Sequence, residues 1–219
     1  AHRDGTDSIS DIMGGDTRDY PMERGETEFP ILYTRYAHRP DSGGPGKFRG
    51  GLGIWRDIKI LDDERYQKTG VSVIWDRSKI PPYGVADGFS GVAQRVAIIR
   101  ADGRLEYVPV ELGTKCTLLP IHENDTLSMR TGGGGGYGDP LERDPEAVLQ
   151  DLQEGKISES VATHIYGVII DKDKWAVDAE ATRKQREKVR QSRTYCRVRP
   201  KKDEEFIGNR RTVRLHPGL

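Results

Sequence analysis

From Phe29 to Met129 apolar residues recur at every second position, in short runs broken by glycine, proline and acidic residues, and that period belongs to strands. Phe29–Tyr36 is rich in aromatic and β-branched side chains, and Pro30, which has no amide hydrogen, suits the start or edge of a sheet. Ile54, Ile58 and Ile60 alternate with polar neighbours, so Ile54–Leu61 reads as a second strand. Arg65–Trp75 repeats the pattern with Tyr66, Val71, Val73 and Trp75 on one face, after a turn at Asp62-Asp63-Glu64. Val96–Arg100 and Leu105–Val110 flank Asp102-Gly103, residue types that accept the positive φ of a tight hairpin turn. Short strands at Thr117–Leu119 and Thr126–Met129 complete the set, while the prolines and glycines of Ile80–Gly91 predict an ordered surface loop. Together the strands predict an antiparallel sandwich or barrel over residues 29–131.

Past residue 131 the period changes. Asp144 before Pro145 and Glu146 is a helix start, with a side-chain cap, a preset φ and an acid in the first turn. Leu149 and Leu152 give that helix an apolar edge, and Gly155 ends it. Ser158 caps a second short helix through Val161, Ile165 and Tyr166, closed by Gly167 and followed by a strand-like Val168-Ile169-Ile170. A third helix, Ala179–Arg190, starts from Asp178 with an apolar face too thin for a core helix. The fold class is therefore α+β: an acidic arm (1–28), a β-rich domain (29–131), a glycine-rich junction with short helices (132–178), and a basic helical tail (179–219) that docks on a partner.

Composition sharpens this outline. With 34% hydrophobic and 32% charged residues in 219, the chain is lean for a self-contained globule. Lysine plus arginine equals aspartate plus glutamate, 35 of each, so overall charge argues for neither nucleic acid nor membrane. No apolar run approaches the roughly 18 residues of a membrane span. Cys116 and Cys196 are too few for a disulfide framework or a four-cysteine zinc site, which makes a reduced, cytoplasmic setting the default. Charge is instead segregated: eight acids stand in the first 28 residues, whereas residues 183–202 carry ten basic side chains against Glu187 alone, a net +9. With only Tyr195 for stacking and no recognised module, that stripe points to protein rather than nucleic acid.

Two glycine-dense segments are the candidate chemistry. In Arg39–Gly53, closely spaced turns would bring Arg39, Lys47 and Arg49 together beside Ser42, Gly43, Gly44, Gly50 and Gly51, whose amides could receive an anion; the alternative is a tight connection whose arginines pair with the acidic arm. In Thr131–Pro140, the run Gly133-Gly134-Gly135-Gly136-Tyr137, ahead of Asp139, reads either as an anion-binding nest or as bare backbone that connects or receives a partner. The lysine and serine or threonine of a phosphate loop are missing. Neither a Ser-His-Asp arrangement nor an activated cysteine is recognisable, so catalytic residues are unassigned and no metal ligands are expected. Cys116 reads as a small core residue, and His38 and His122 as surface or hydrogen-bonded histidines.

Arg39-Pro40-Asp41-Ser42-Gly43-Gly44-Pro45-Gly46-Lys47-Phe48-Arg49-Gly50-Gly51-Leu52-Gly53, then Gly132 to Pro145 and Tyr166-Gly167-Val168, resemble in order and spacing the C-terminal part of the hydantoinase B/5-oxoprolinase family. The likeness covers about residues 1–190 and extends to the matching subunit of ATP-dependent acetone and acetophenone carboxylases. It implies a hetero-oligomer in which a hydantoinase A-like ATPase phosphorylates a carbonyl oxygen and the B-type body completes the reaction. Completion is hydrolysis of a cyclic amide, or capture of a phosphorylated enol by bicarbonate. Phosphorylation supplies a good leaving group in either case. Gly15–Tyr20 with Glu26–Pro30 resembles the ketone carboxylase branch. A full B-type subunit is more than twice as long as this chain. The resemblance therefore places ATP, magnesium and a divalent metal in partner subunits, one of them a longer B-type chain carrying the N-terminal half, and this chain's loops at the interface or active-site wall. A non-catalytic assembly module is the remaining reading.

Overall fold

The computed structural model describes residues 2–9, 20–62, 69–108 and 115–193. The alternating stretches form β1 (Ile31–His38), β2 (Ile54–Ile60), β3 (Thr69–Ile74), β4 (Arg95–Ile99), β5 (Leu105–Tyr107), β6 (Lys115–Ile121) and β7 (Thr126–Arg130). Five of them make an open antiparallel sheet in the order β1-β2-β7-β4-β5, and β3 pairs with β6 in a separate two-stranded layer. The architecture is thus a sandwich whose larger sheet has β1 and β5 at its edges among the described residues, and the barrel alternative is not realised. Pro30 leads into edge strand β1, where its missing amide costs no ladder bond.

The layers face one another because of the register. Ile58, Leu127 and Ile98 are directly opposite across β2, β7 and β4. From the other layer Val71, Val73, Trp75, Cys116, Leu119 and Ile121 pack on the same core, with Val96, Ile98 and Val108 almost wholly buried. The face expected for Val71, Val73 and Trp75 is the one observed; Tyr66 lies outside the described residues. The hairpin at Asp102-Gly103 joins β4 to β5, with Gly103 at φ 84° and its amide donating to the carbonyl of Arg100. By contrast, the chain leaves β2 and crosses to the other layer before β3 begins.

One element departs from the sequence reading. Met22–Glu28, inside the segment read as an arm, is a helix (α1), with Arg24 paired to Glu28 one turn on and its buried Gly25 against Tyr33 of β1. Few apolar residues are needed, because the helix lies on an aromatic ring instead of building a core. The C-terminal helices α2 (Pro145–Gln153), α3 (Glu159–His164) and α4 (Ala179–Gln191) start at the expected caps, where Asp144, Ser158 and Asp178 accept the amides of Glu146, Val161 and Ala181. Val148, Ile157, Ala162, Tyr166 and Val168 form a second core beside the hairpin of β8 (Ile170–Asp171) and β9 (Ala176–Val177). Helix α4 buries only Thr182 and is held by polar side chains: Arg186 donates to the carbonyls of Tyr166 and Arg143, and Gln185 to that of Thr163. None of the described helices is long and apolar enough to cross a membrane.

Candidate functional site

The glycine segments meet at the centre of the molecule, between the sheet and the helices. Backbone from 42–53, 82–92 and 132–138 runs side by side, joined by lateral hydrogen bonds. The amide of Gly44 donates to Gly134, that of Gly134 to Gly51, that of Gly136 to Phe89 and that of Val85 to Gly136, while Phe48 and Tyr137 exchange both of theirs. This spacing is reachable only without side chains: a Cβ on Gly133 would collide with the carbonyl of Ser42, and one on Gly135 with that of Tyr83. Gly43 is equally tight against the carbonyl of Gly50, Gly50 against that of Gly134, and Gly51 against that of Thr6 in the N-terminal segment. The amides of Gly44, Gly50, Gly134 and Gly136 are thus engaged within the fold.

Around this layer the singled-out side chains take separate positions. Arg39 sends one guanidinium nitrogen to the carbonyls of Ala93 and Thr131, at 3.0 and 2.9 Å. Fully buried Ser42 donates to the carbonyl of Arg39 and accepts from the amide of Gly53. Lys47 points outward to Glu142, 3.7 Å away. Tyr137 is half exposed beside Phe48, and Asp139 caps a 3-10 turn at Pro140–Glu142 while receiving Arg193 at 2.7 and 2.8 Å. Arg39, Lys47 and Arg49 therefore do not converge on one point.

Arg49 is the member that turns inward. Almost wholly buried, it meets Asp7 at 3.1 Å, Asp151 of α2 at 3.3 Å and the carbonyl of Gly50 at 2.7 Å. Arg143, equally buried, grips Asp4 at 2.6 and 2.7 Å and shares Asp151 at 2.7 Å. With Lys156 at the rim near Asp7, three cations face three carboxylates. The network clamps the N-terminal segment, the glycine layer and α2 together. Burial pushes the Asp4 carboxyl up, but the hydrogen bond and charge of Arg143 and the amide of Arg49 outweigh it, leaving Asp4 below the ordinary carboxylate range. Asp7 is likewise lowered against burial, by the amide of Leu52 and by Arg49. Tyr166, beside Arg143, is pushed up to about 12 by burial. Asp151 had a trace in the sequence, since it follows Val148 by three and so falls on the buried stripe of α2; Arg143 had none.

Along one flank of the glycine layer, on the inner side of the sheet, lies a cleft of about 1080 Å³. Its wall includes Tyr36, His38 and Arg56 from β1 and β2, Met129 from β7, Trp75 and Arg77 beyond β3, and Gln94. The Gln94 side-chain nitrogen and the Ser8 hydroxyl, both in this wall, are buried without a hydrogen-bond partner. Guanidinium, imidazole and amide donors together with the rings of Tyr36 and Trp75 in one wall suit an anion or a polarised carbonyl attached to an apolar body. Sequence reading missed these residues as a site, because they come from six separate stretches and meet only in the fold. Among the described residues no cluster of His, Cys, Asp or Glu could hold a metal ion, so the metal implied by the resemblance has no matching donor set there.

Residues 1–140 match the model of the hydantoinase B/oxoprolinase family. The chain belongs to that family. Its relatives include an uncharacterised protein of Methanocaldococcus jannaschii, 43% identical over 76% of this chain and 28% of its own length. A putative D-/L-hydantoinase subunit of a Pseudomonas strain is 35% identical over 82% of this chain and 29% of its own length. The acetophenone carboxylase delta subunit of Aromatoleum aromaticum is 30% identical over 72% and 26%. The nucleotide-free structure of acetone carboxylase superposes with a TM-score of 0.69 at 21% identity, over 86% of this chain and 28% of that one, a likeness of fold. The chain thus spans little more than a quarter of the length of these relatives.

Proposed function

We propose that this chain forms the glycine-layer segment of an ATP-dependent, multi-subunit enzyme of the hydantoinase B type, supplying one wall of the site in which a phosphorylated carbonyl compound is converted. The observation that carries this reading is the cleft with Arg56, Arg77, His38 and Gln94 in its wall, flanking the glycine layer, in a chain that is about a quarter of a family body. A preorganised donor wall is the contribution such a segment makes, since it holds and polarises an oxyanion without reorganising. ATP, its magnesium and the divalent metal belong to companion chains, a hydantoinase A-like ATPase among them, and the setting is cytoplasmic. The reaction proposed is carboxylation of a ketone through its phosphorylated enol, with bicarbonate as carbon source. It draws on the Gly15–Tyr20 and Glu26–Pro30 motifs and on the acetophenone carboxylase relative. A second reading, ATP-driven opening of a cyclic amide, draws on the putative hydantoinase relative, 35% identical.

The assembled enzyme decides between them. Consumption of acetophenone that needs both ATP and bicarbonate, with no ring opening of hydantoin, supports the first; ATP-dependent ring opening without bicarbonate establishes the second. In either case Arg77→Gln raises KM by about tenfold and leaves Tm in place, because Arg77 is exposed at the cleft and a hydrogen bond to a charged group contributes roughly 1.5 kcal/mol or more. An unchanged KM would remove the cleft from the site.

A further inference from the structure

The face of the five-stranded sheet turned away from β3 and β6 has an unusual make-up. Trp55, Arg130 and Arg95 stand directly opposite one another across β2, β7 and β4. The guanidiniums of Arg35 and Arg130, from the strands on either side of it, stack on the Trp55 ring at 4.0 and 4.1 Å from its centre. Arg39, bonded to the carbonyls of Thr131 and Ala93, brings a further guanidinium beside Arg130 and Arg95. Burial and the charges of those two neighbours hold Arg39 below the ordinary arginine range. The acid on this face, Asp57, is taken by Arg35 and by the Trp55 indole nitrogen. Among the described residues none of Arg39, Arg95 and Arg130 is paired with a carboxylate. Like charges opposite one another on neighbouring strands destabilise a sheet, so the arrangement calls for countercharge from outside.

We infer that this face is a docking surface for a carboxylate-bearing protein surface, supplied by the longer remainder of a hydantoinase B-type body. The inference rests on the reading that the chain works inside such a body. An open sheet face lacks the concavity that holds a small anion. A nucleobase would have to displace two guanidiniums already stacked on Trp55. Arginine with Trp55, Tyr107 and the half-exposed Leu105 is instead the make-up of a protein interface, in which guanidiniums grip carboxylates bidentately. The family members of which this chain spans 26–29% have a body large enough to cover it.

The test uses the full chain, tagged and purified from cells that make its natural companions. Native mass spectrometry first reads whether it travels in an assembly. A zero-length carbodiimide, which joins lysine to carboxylates, is then applied to the Arg95→Lys/Arg130→Lys variant. The surface predicts an intact assembly, with cross-links from positions 95 and 130 to aspartates or glutamates outside these 219 residues. Arg95→Glu/Arg130→Glu weakens the assembly at least about tenfold, with Arg95→Gln/Arg130→Gln in its place if the reversed pair does not fold. An assembly untouched by charge removal, with cross-links confined to this chain, overturns the docking face and leaves the larger-body reading standing. A chain that travels alone overturns that reading and the docking face with it.

Discussion

Gly133 and Gly135 show how one missing atom governs the centre of this protein. Each faces a backbone carbonyl so closely that a methyl group has no space, and the obstacle is main chain that cannot rotate aside. Gly133→Ala and Gly135→Ala should each cost about 3 kcal/mol or more, whereas Gly155→Ala, at φ 68° with open space around it, should cost only about 1 kcal/mol of left-handed strain. Urea unfolding of the three variants checks the order; equal costs would mean that the layer is not close-packed. Asp151 is the second governing residue, because it serves two buried guanidiniums at once. Asp151→Asn leaves them short of charge and should cost about 3–5 kcal/mol. Asp4 and Asp7 tie this network to pH. Their carboxyls sit lower in the folded chain than in the unfolded one, so the unfolded state binds more protons as pH falls. Their stabilisation is complete above the ordinary value of 3.8 and is lost as pH drops through the depressed folded values. Asp4→Asn/Asp7→Asn should flatten the acid limb of a stability profile measured from pH 6 to 2, and an unchanged limb would remove these two groups from its cause.

At the scale of elements, strands and helix starts were legible because their signals are local. A two-residue period, a capping side chain before Pro145 and an Asp-Gly turn each act within a few residues. Ser158→Ala should therefore cost about 1 kcal/mol, and Ile98→Ala, in the middle of β4 and wholly buried, about 3 kcal/mol; thermal unfolding of both measures the contrast. Three arrangements were not legible. The crossing of the chain between layers after β2 leaves no mark on alternation, which sets a face but not a partner strand. Helix α1 draws its stability from the ring of Tyr33 rather than from its own pattern. The glycine segments were conspicuous in the sequence, yet glycine carries no side-chain pattern that says which backbone it will meet. Three of the singled-out charges, Arg39, Arg49 and Asp139, turned out to anchor other segments: Arg39 holds the backbone at Ala93 and Thr131, Arg49 ties the N-terminal segment to α2, and Asp139 holds Arg193 just beyond α4.

For the molecule as a whole, the core of the sandwich and the core of the helices are both small, and the glycine layer with its buried ions is what couples them. Such a layer is rigid because its hydrogen bonds are internal, and the cleft and the arginine-rich sheet face are the surfaces that the proposed larger enzyme would use. The most direct measurement is the mass and activity of the purified protein under native conditions. The account predicts one particle containing this sequence with longer family and ATPase chains, in which alone the ATP-dependent reaction runs. A cooperatively folded particle of a single chain, fully active without companions, would contradict it.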